Sequence, residues 1–380
     1  MKQNSAEKSP VHFTDMRTRA GLSLPAKLER LVRRAGIEKI DFDRRFVAIK
    51  IHFGELGNLS FLRPNYAKRI VDILKPLGAK PFLTDCNTLY PGMRKNALDH
   101  LDCAMENGFW PLSTGCQIII GDGLKGTDET LVPLAGTRAE LVKEAKIGHA
   151  IMDADIVISL NHFKGHEATG FGGALKNLGM GCGSRAGKME QHTSGKPVVN
   201  AALCRKCQDC AKECGSDAIT YAESGVARID PEKCTGCGRC IGACNFDAIA
   251  PTDMHSNERL SKKIAEYALA VLRGRPNFHI NIVTQVSPAC DCHGENDTPI
   301  IPDVGMFASF DPVALDQACV DACNRQPVMG GSELERMLKN AAKGGGDHFT
   351  AVYASTNWRD TLAHAEKIGV GTRAYELVRV

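Results

Sequence analysis

The sequence predicts an α/β fold: a mainly parallel sheet flanked by helices, with a small cysteine-rich α+β module inserted into it. Three observations predict this. Apolar, β-branched runs alternate with segments of helical periodicity along most of the chain. Such alternation builds a parallel sheet with helices on both faces. Two cysteine runs between positions 204 and 244 break the alternation, and no low-complexity linker separates the pieces. Residues 1–196 and 256–380 therefore read as two parts of one α/β domain around a module at 197–255.

Taken in order, the first dozen or so residues are polar and read as loose. RRFVAIKIHF (44–53) reads as a buried strand. A helix follows over 63–77 and ends before Gly78. KPFLTD (80–85) is a second strand, with a helix near 94–107. CQIIIG (116–121) is a third strand, a helix is expected near 138–149, and DIVISLN (155–161) is a fourth strand. Beyond the module, 257–274 is a strongly amphipathic helix and FHINIVTQV (278–286) a buried strand. Residues 311–325 read as a helix with Asp311 as N-cap and Pro312 in its first turn. Helices near 332–342 and 359–368 are expected to flank a strand at 348–355.

The cysteine runs carry the sharpest signal. Cys204-x-x-Cys207-x-x-Cys210-x-x-x-Cys214 recurs 30 residues later as Cys234, Cys237, Cys240 and Cys244. The repeat extends to Asp217-Ala218-Ile219 and Asp247-Ala248-Ile249. Each half has the spacing of a bacterial ferredoxin run, in which three cysteines of one half and the distant cysteine of the other hold one cluster. Cys204, Cys207, Cys210 and Cys244 are thus assigned to one [4Fe–4S] cluster, and Cys234, Cys237, Cys240 and Cys214 to a second. Zinc would need four ligands, usually as two separated pairs, and leaves the third cysteine of each half unexplained. The usual proline after the last cysteine is replaced by Gly215 and Asn245. The expected architecture is then a bacterial ferredoxin-like α+β module inserted in an α/β domain.

Composition sets the frame. The chain has 380 residues, 43% hydrophobic and 24% charged, with a net charge of +3. This is ordinary for a globular protein and implies no steering toward nucleic acid or membrane. No apolar run reaches membrane-spanning length. Sixteen cysteines, with no secretory leader apparent, point to a reducing cytoplasm.

Open α/β sheets bind ligands beyond the carboxyl ends of their strands. The segments after the predicted strands supply His52 and Glu55, then Asp85, Cys86 and Asn87, then Asp122. The fourth strand runs into NHFKGH, giving Asn161, His162, Lys164 and His166, and SPACDCHGEND gives Cys290, Asp291, Cys292 and His293. Asp303 and Asp311 follow. His52, Glu55, Asp85, His162, Lys164 and His166 are the candidate catalytic residues. NHFKGH suits either an additional metal or an anionic small molecule with Lys164 as the cation, and Cys290–His293 either a redox pair or a metal loop. Alternatively, Asp85 and Asp122 only cap helices or shape turns, and His52 is a structural histidine. The glycine-dense 168–188 opens a helix where Gly172, Gly173 and Lys176 would hold an anion, or else marks close packing against the cysteine module. It matches neither the P-loop nor the dinucleotide fingerprint. Cys182 reads as a free thiol, and Cys86, Cys103, Cys116, Cys319 and Cys323 as core.

IKIHFGELGN, ADIVISLNHFKGHEATGFGGALKNLGMG, the twin cysteine runs and NIVTQVSPACDCHGEN with PIIPDVGMFASFDPVALDQACVD together resemble the uncharacterised Fe–S centre proteins, domain of unknown function 362. The resemblance covers about residues 10–380. It implies an α/β domain carrying a ferredoxin-type module, with no general reaction attached. The leading expectation is an iron–sulfur redox protein working with a redox partner protein. A non-enzymatic electron carrier, an assembly or docking protein, and a non-redox enzyme with structural clusters are the alternatives.

Overall fold

The computed structural model describes residues 8–90, 92–193, 196–251, 256–340 and 347–380. Its centre is an eight-stranded sheet built from β1 (Ser9–Asp15), β2 (Phe46–Lys50), β3 (Lys80–Asp85), β4 (Gln117–Ile120), β5 (Ile156–His162), β6 (Asn277–Val283), β7 (Gly305–Ser309) and β8 (Tyr375–Arg379). The order is β8-β1-β7-β6-β5-β2-β3-β4. Only β7 runs against the rest, antiparallel to both β1 and β6. The five strands from β6 to β4 are parallel.

The central strands are buried on both faces, which explains their continuous apolar runs. Helices α1 (Leu24–Arg34) and α2 (Pro64–Leu74) cover one face, packing Leu28, Leu31, Ile70 and Leu74 with Ile156, Ile158, Leu160 and Ile280. Helices α3 (Ala174–Cys182), α4 (Asn257–Leu272) and α5 (Pro312–Asn324) cover the other. There Leu175, Leu178, Ala265, Val271 and Val313 meet Val157, Val283 and Phe307. As expected, Asp311 caps α5, accepting hydrogen bonds from the Val313 and Ala314 amides at 2.9 and 3.0 Å.

Three expectations fail locally. The helix near 138–149 is instead the strand Glu144–Gly148, paired antiparallel with Glu129–Pro133 and followed by a short helix, His149–Asp153. The amides of residues 140–142 are taken by the Glu266 carboxylate rather than by a helix. The strand at 348–355 is the helix His348–Val352, started by Asp347, which accepts from the Thr350 amide at 3.0 Å. Local N-capping outweighs the β-branched composition there. The loose start holds a sheet strand, β1, which pairs in parallel with β8 at the far end of the chain. Residues 1–7 of that start lie outside the described residues.

The cysteine module folds around its own small core. Val198–Val199 pairs with Ile249–Ala250, and Ile219–Tyr221 with Ala227–Ile229. Cys210, Cys240, Cys244, Ile241 and Ala248 form one apolar cluster, joined by Leu89 and Met189 of the α/β part.

Candidate functional site

A cavity of about 410 Å³ lies beyond the carboxyl ends of β2, β3, β5 and β6, where a parallel sheet places its ligands. His52, Asp85, His162, Lys164, His166 and Lys176 all line it, as do Cys290 and Cys292. The strand-end reading therefore converges in space. Lys164–His166 and Gly170–Gly172 form a β-hairpin, so NHFKGH is extended rather than helical.

Each predicted residue has a definite partner. His52 Nδ1 accepts from the Gly54 amide at 3.0 Å, and its Nε2 lies 2.9 Å from Arg94 Nη1. Burial, then the Arg94 charge, pushes its pKa well below the usual histidine range. Glu55 stands behind the cavity, accepting from the Met93 amide at 2.7 Å and from Arg94 Nε at 2.9 Å. It orients Arg94, and Arg94 faces the cavity. Asp85 lies 2.9 Å from the fully buried Lys50 ammonium. Burial works against its charge, but Lys50, His52 and His100 outweigh that and depress its pKa. Asp122 accepts from the Asn87 amide and side chain at 2.9 Å each, and burial raises it to about 6. Asp303 accepts from the Gln285 amide at 2.6 Å.

His162 is bound on both sides. Its Nδ1 lies 2.9 Å from each oxygen of Asp291, and its Nε2 lies 2.7 Å from the Thr284 carbonyl. Lys164 Nζ stands 3.4 Å from Asp291. Despite burial, His162 and Lys164 hold the Asp291 carboxyl well below its usual range. His166 Nδ1 accepts from the Ala168 and Thr169 amides at 3.1 and 3.3 Å. The two histidines of NHFKGH therefore serve different partners. Among the described residues, the groups of three or more metal-type donors lying within 4.8 Å of one another are His166–Cys290–Cys292 and Glu167–Cys292–His293; neither includes His162.

The start of α3 is occupied from within the chain. An anion does sit at its amides, but it is the chain's own Asp316, accepting from Ala174 and Leu175 at 2.8 and 3.0 Å. A Cβ at Gly173 would lie 2.4 Å from that carboxylate. Asp316 thus takes the Ala174 and Leu175 amides, while Gly172, Gly173 and Lys176 all line the cavity, with Lys176 Nζ 3.9 Å from Cys290 Sγ. The glycine density serves close packing within the α/β part: a Cβ at Gly179 would lie 2.1 Å from the Ile264 carbonyl of α4, and one at Gly187 2.3 Å from the Lys146 carbonyl. Cys182 is a buried thiol, and the five core cysteines are buried.

Sequence reasoning missed Lys50, Arg94, Tyr90, Lys188 and His192. Four of them line the cavity, and Lys50 lies beneath it, bonded to Asn177 Oδ1 at 2.6 Å. From there a buried amide chain crosses the sheet. Asn177 donates to Asn161, Asn161 to Asn281, and Asn281 to Asp316, at 2.7, 2.9 and 2.7 Å. A lysine closing the otherwise apolar FVAIK run was the available signal.

In the module, Cys204, Cys207, Cys210 and Cys244 line one small cavity, the remote cysteine included. The 30-residue repeat is also a backbone repeat. Lys206, Gln208 and Asp217 have φ of 62°, 68° and 50°; Gly236, Gly238 and Asp247 have 74°, 69° and 52°. Left-handed residues between the cysteines turn the loop's amides inward, as anion-binding nests do. The Ala218 and Ala248 amides each donate to a cysteine sulfur, Cys214 and Cys244, at 3.3 Å. A tetrahedral zinc site would need sulfurs about 3.8 Å apart. No such triplet forms in the module among the described residues. Four cysteines around one cavity, with amides turned toward cysteine sulfurs, suit an iron–sulfur cube. The module docks through Lys95, which donates to the Cys244 carbonyl at 2.9 Å, and through Arg185, whose guanidinium lies against Gly242, where a Cβ would stand 2.6 Å from its Cζ.

The chain resembles known proteins in parts. Over 35 residues it is 51% identical to one subunit of the Na(+)-translocating ferredoxin:NAD(+) oxidoreductase complex of Acetobacterium woodii, covering 9% of this chain and 10% of that one. Over 56 residues it is 39% identical to the formate dehydrogenase iron–sulfur subunit of Wolinella succinogenes, covering 14% and 28%. The chain thus spans less than a third of either relative. Among solved structures, the lactate racemase apoprotein of Thermoanaerobacterium thermosaccharolyticum matches with a TM-score of 0.38 and 11% identity, over 98% of this chain and 83% of that one. No helix among the described residues is long and apolar enough to cross a membrane. A single family spans both the sheet and the cysteine module: the chain belongs to the family described as domain of unknown function, DUF362, which matches residues 47–321.

Proposed function

We propose that this chain binds two [4Fe–4S] clusters and passes single electrons between a redox partner protein and the strand-end cavity. Cys204, Cys207, Cys210 and Cys244 would hold one cluster, and Cys234, Cys237, Cys240 and Cys214 the other. When bound, such clusters supply one-electron transfer. The observation that carries the reading is the shared wall. Leu89 packs in the same apolar cluster as Cys210, Cys240 and Cys244, and it also lines the cavity. Leu89 therefore belongs both to the module's apolar cluster and to the wall of the pocket.

The chain's own residues prepare that pocket. Glu55 fixes Arg94, His162 and Lys164 fix Asp291, and Lys50 fixes Asp85, so charge is paired before any ligand enters. Lys176 presents a cation to the cavity, which suits an anionic small molecule. Partial identity to subunits named for redox complexes supports a protein redox partner.

The test is metal and acid-labile sulfide analysis on protein purified without oxygen. About eight iron and eight sulfide per chain are expected. About two zinc and no sulfide would overturn the reading.

A further inference from the structure

We propose that Cys290 and Cys292 form a reversible disulfide in the cavity and act as its two-electron acceptor. The inference rests on the iron–sulfur reading, which supplies the electrons. Both cysteines line the cavity, and their sulfurs lie within 4.8 Å of each other and of a His166 nitrogen. The His293 amide donates to the Cys290 carbonyl at 3.1 Å and closes a turn over 290–293. That bend brings the two cysteines to one side, as a disulfide requires. The turn is held from beneath by Asp291, which is locked to His162 and Lys164.

The donor chemistry favours sulfur redox over a metal. A metal ligated by His166 Nε2 needs the ring proton on Nδ1. Here Nδ1 is an acceptor for two backbone amides, so the proton sits on Nε2, which lies 3.6 Å from Glu167. The pair is also asymmetric. The hydrogen bond from Cys292 lowers Cys290, against burial and helped by Lys176, His166 and Lys164. Cys292 is pushed the other way by that bond and by burial. Cys290 is thus the more acidic of the two, with Lys176 Nζ 3.9 Å from its sulfur. His293 lies beside Cys292. Its Nε2 is 3.3 Å from Glu167, and the hydrogen bond raises its pKa.

Atoms and electrons balance. The Cys290–Cys292 S–S bond breaks on taking two electrons, one from each reduced cluster, and one proton from the His293 imidazolium. The products are the Cys290 thiolate and the Cys292 thiol. A low-potential one-electron donor protein recharges the clusters and solvent reprotonates His293. An organic disulfide entering the cavity restores the bond by exchange: the Cys290 thiolate attacks it and expels one thiolate, then Cys292 displaces the second sulfur, which leaves as a thiol carrying the Cys292 proton.

The experiment compares the full-length protein with the double variant Cys290→Ser, Cys292→Ser, both loaded with clusters and treated with oxidised glutathione under argon. Each is titrated with photoreduced deazaflavin while the cluster signal and the peptide carrying Cys290 and Cys292 are followed. The wild type is expected to take two more electrons per chain than the variant. Its peptide should go from a form 2 Da lighter and closed to alkylation at these two cysteines to one alkylated at both. Equal titrations with normal cluster signals, or a divalent metal bound at the pair, would overturn the disulfide and leave the iron–sulfur reading standing. Loss of any reducible cluster signal in both proteins would overturn the two together.

Discussion

The His162 imidazole lies 2.9 Å from both oxygens of Asp291, the residue between Cys290 and Cys292. A histidine at a strand end thereby sets the position of a turn 129 residues away in sequence. Both ring nitrogens are engaged by oxygen acceptors, so His162 is a positioning residue for the sulfur pair. Asp291→Asn removes the anion that pairs His162 with Lys164 and leaves buried positive charge uncompensated. Anaerobic denaturant unfolding should show a loss of about 3–5 kcal/mol, and alkylation of Cys292 should accelerate. Unchanged stability would mean that the pair is solvated rather than buried.

Lys50 and Asp85 make a second buried pair, 2.9 Å apart. Lys50→Met should cost about 3–5 kcal/mol because Asp85 is left charged and unpaired. The double variant Lys50→Met, Asp85→Asn should recover much of that loss. A thermal-unfolding cycle on the four proteins measures the coupling, and additive losses would contradict the pairing.

Gly179 marks where α3 touches α4. A Cβ there would lie 2.1 Å from the Ile264 carbonyl, a backbone atom that cannot rotate away. Gly179→Ala should lower stability by about 1–3 kcal/mol or more. Gly215→Ala has no atom within 4 Å of its added carbon and serves as the control, with little expected change.

Glu266 gives the protein an acid-sensitive joint. Its carboxylate accepts from the amides of residues 140, 141 and 142 and from His364 at 2.9 Å. Burial raises its pKa, but the His364 bond and the three amides outweigh burial, and the net shift is downward from 4.5. A depressed folded pKa means stability that is present above pH 4.5 and lost as pH falls through the folded value. Glu266→Gln should lose about 1–3 kcal/mol at neutral pH and show a flatter acid limb in unfolding followed from neutral to strongly acidic pH. Parallel curves for the two proteins would refute the assignment.

The sequence by itself determined what depends on short-range chemistry. Periodicity and turn residues gave β3, β5, α2, α4 and the Asp311 cap of α5. The cysteine spacing gave a repeat whose left-handed backbone positions recur at three matched places, 206/236, 208/238 and 217/247. The strand-end rule gathered His52, Asp85, His162, Lys164, His166 and Cys290 around one cavity, because parallel strands share a carboxyl edge. Tertiary structure decided what depends on partners distant in the chain. Ser9–Asp15 is a strand because β7 and β8 flank it, and its own few residues carry too little pattern to say so. Glu144–Gly148 is a strand because Glu129–Pro133 pairs with it, while the amides just before it are taken by Glu266. The Ala174 and Leu175 amides are taken by Asp316, from α5, which reaches the helix start from a distant part of the chain. Glu55 proved to orient Arg94, and Lys50 to neutralise Asp85, since in a closed interior each buried charge takes whichever opposite charge the fold brings within reach.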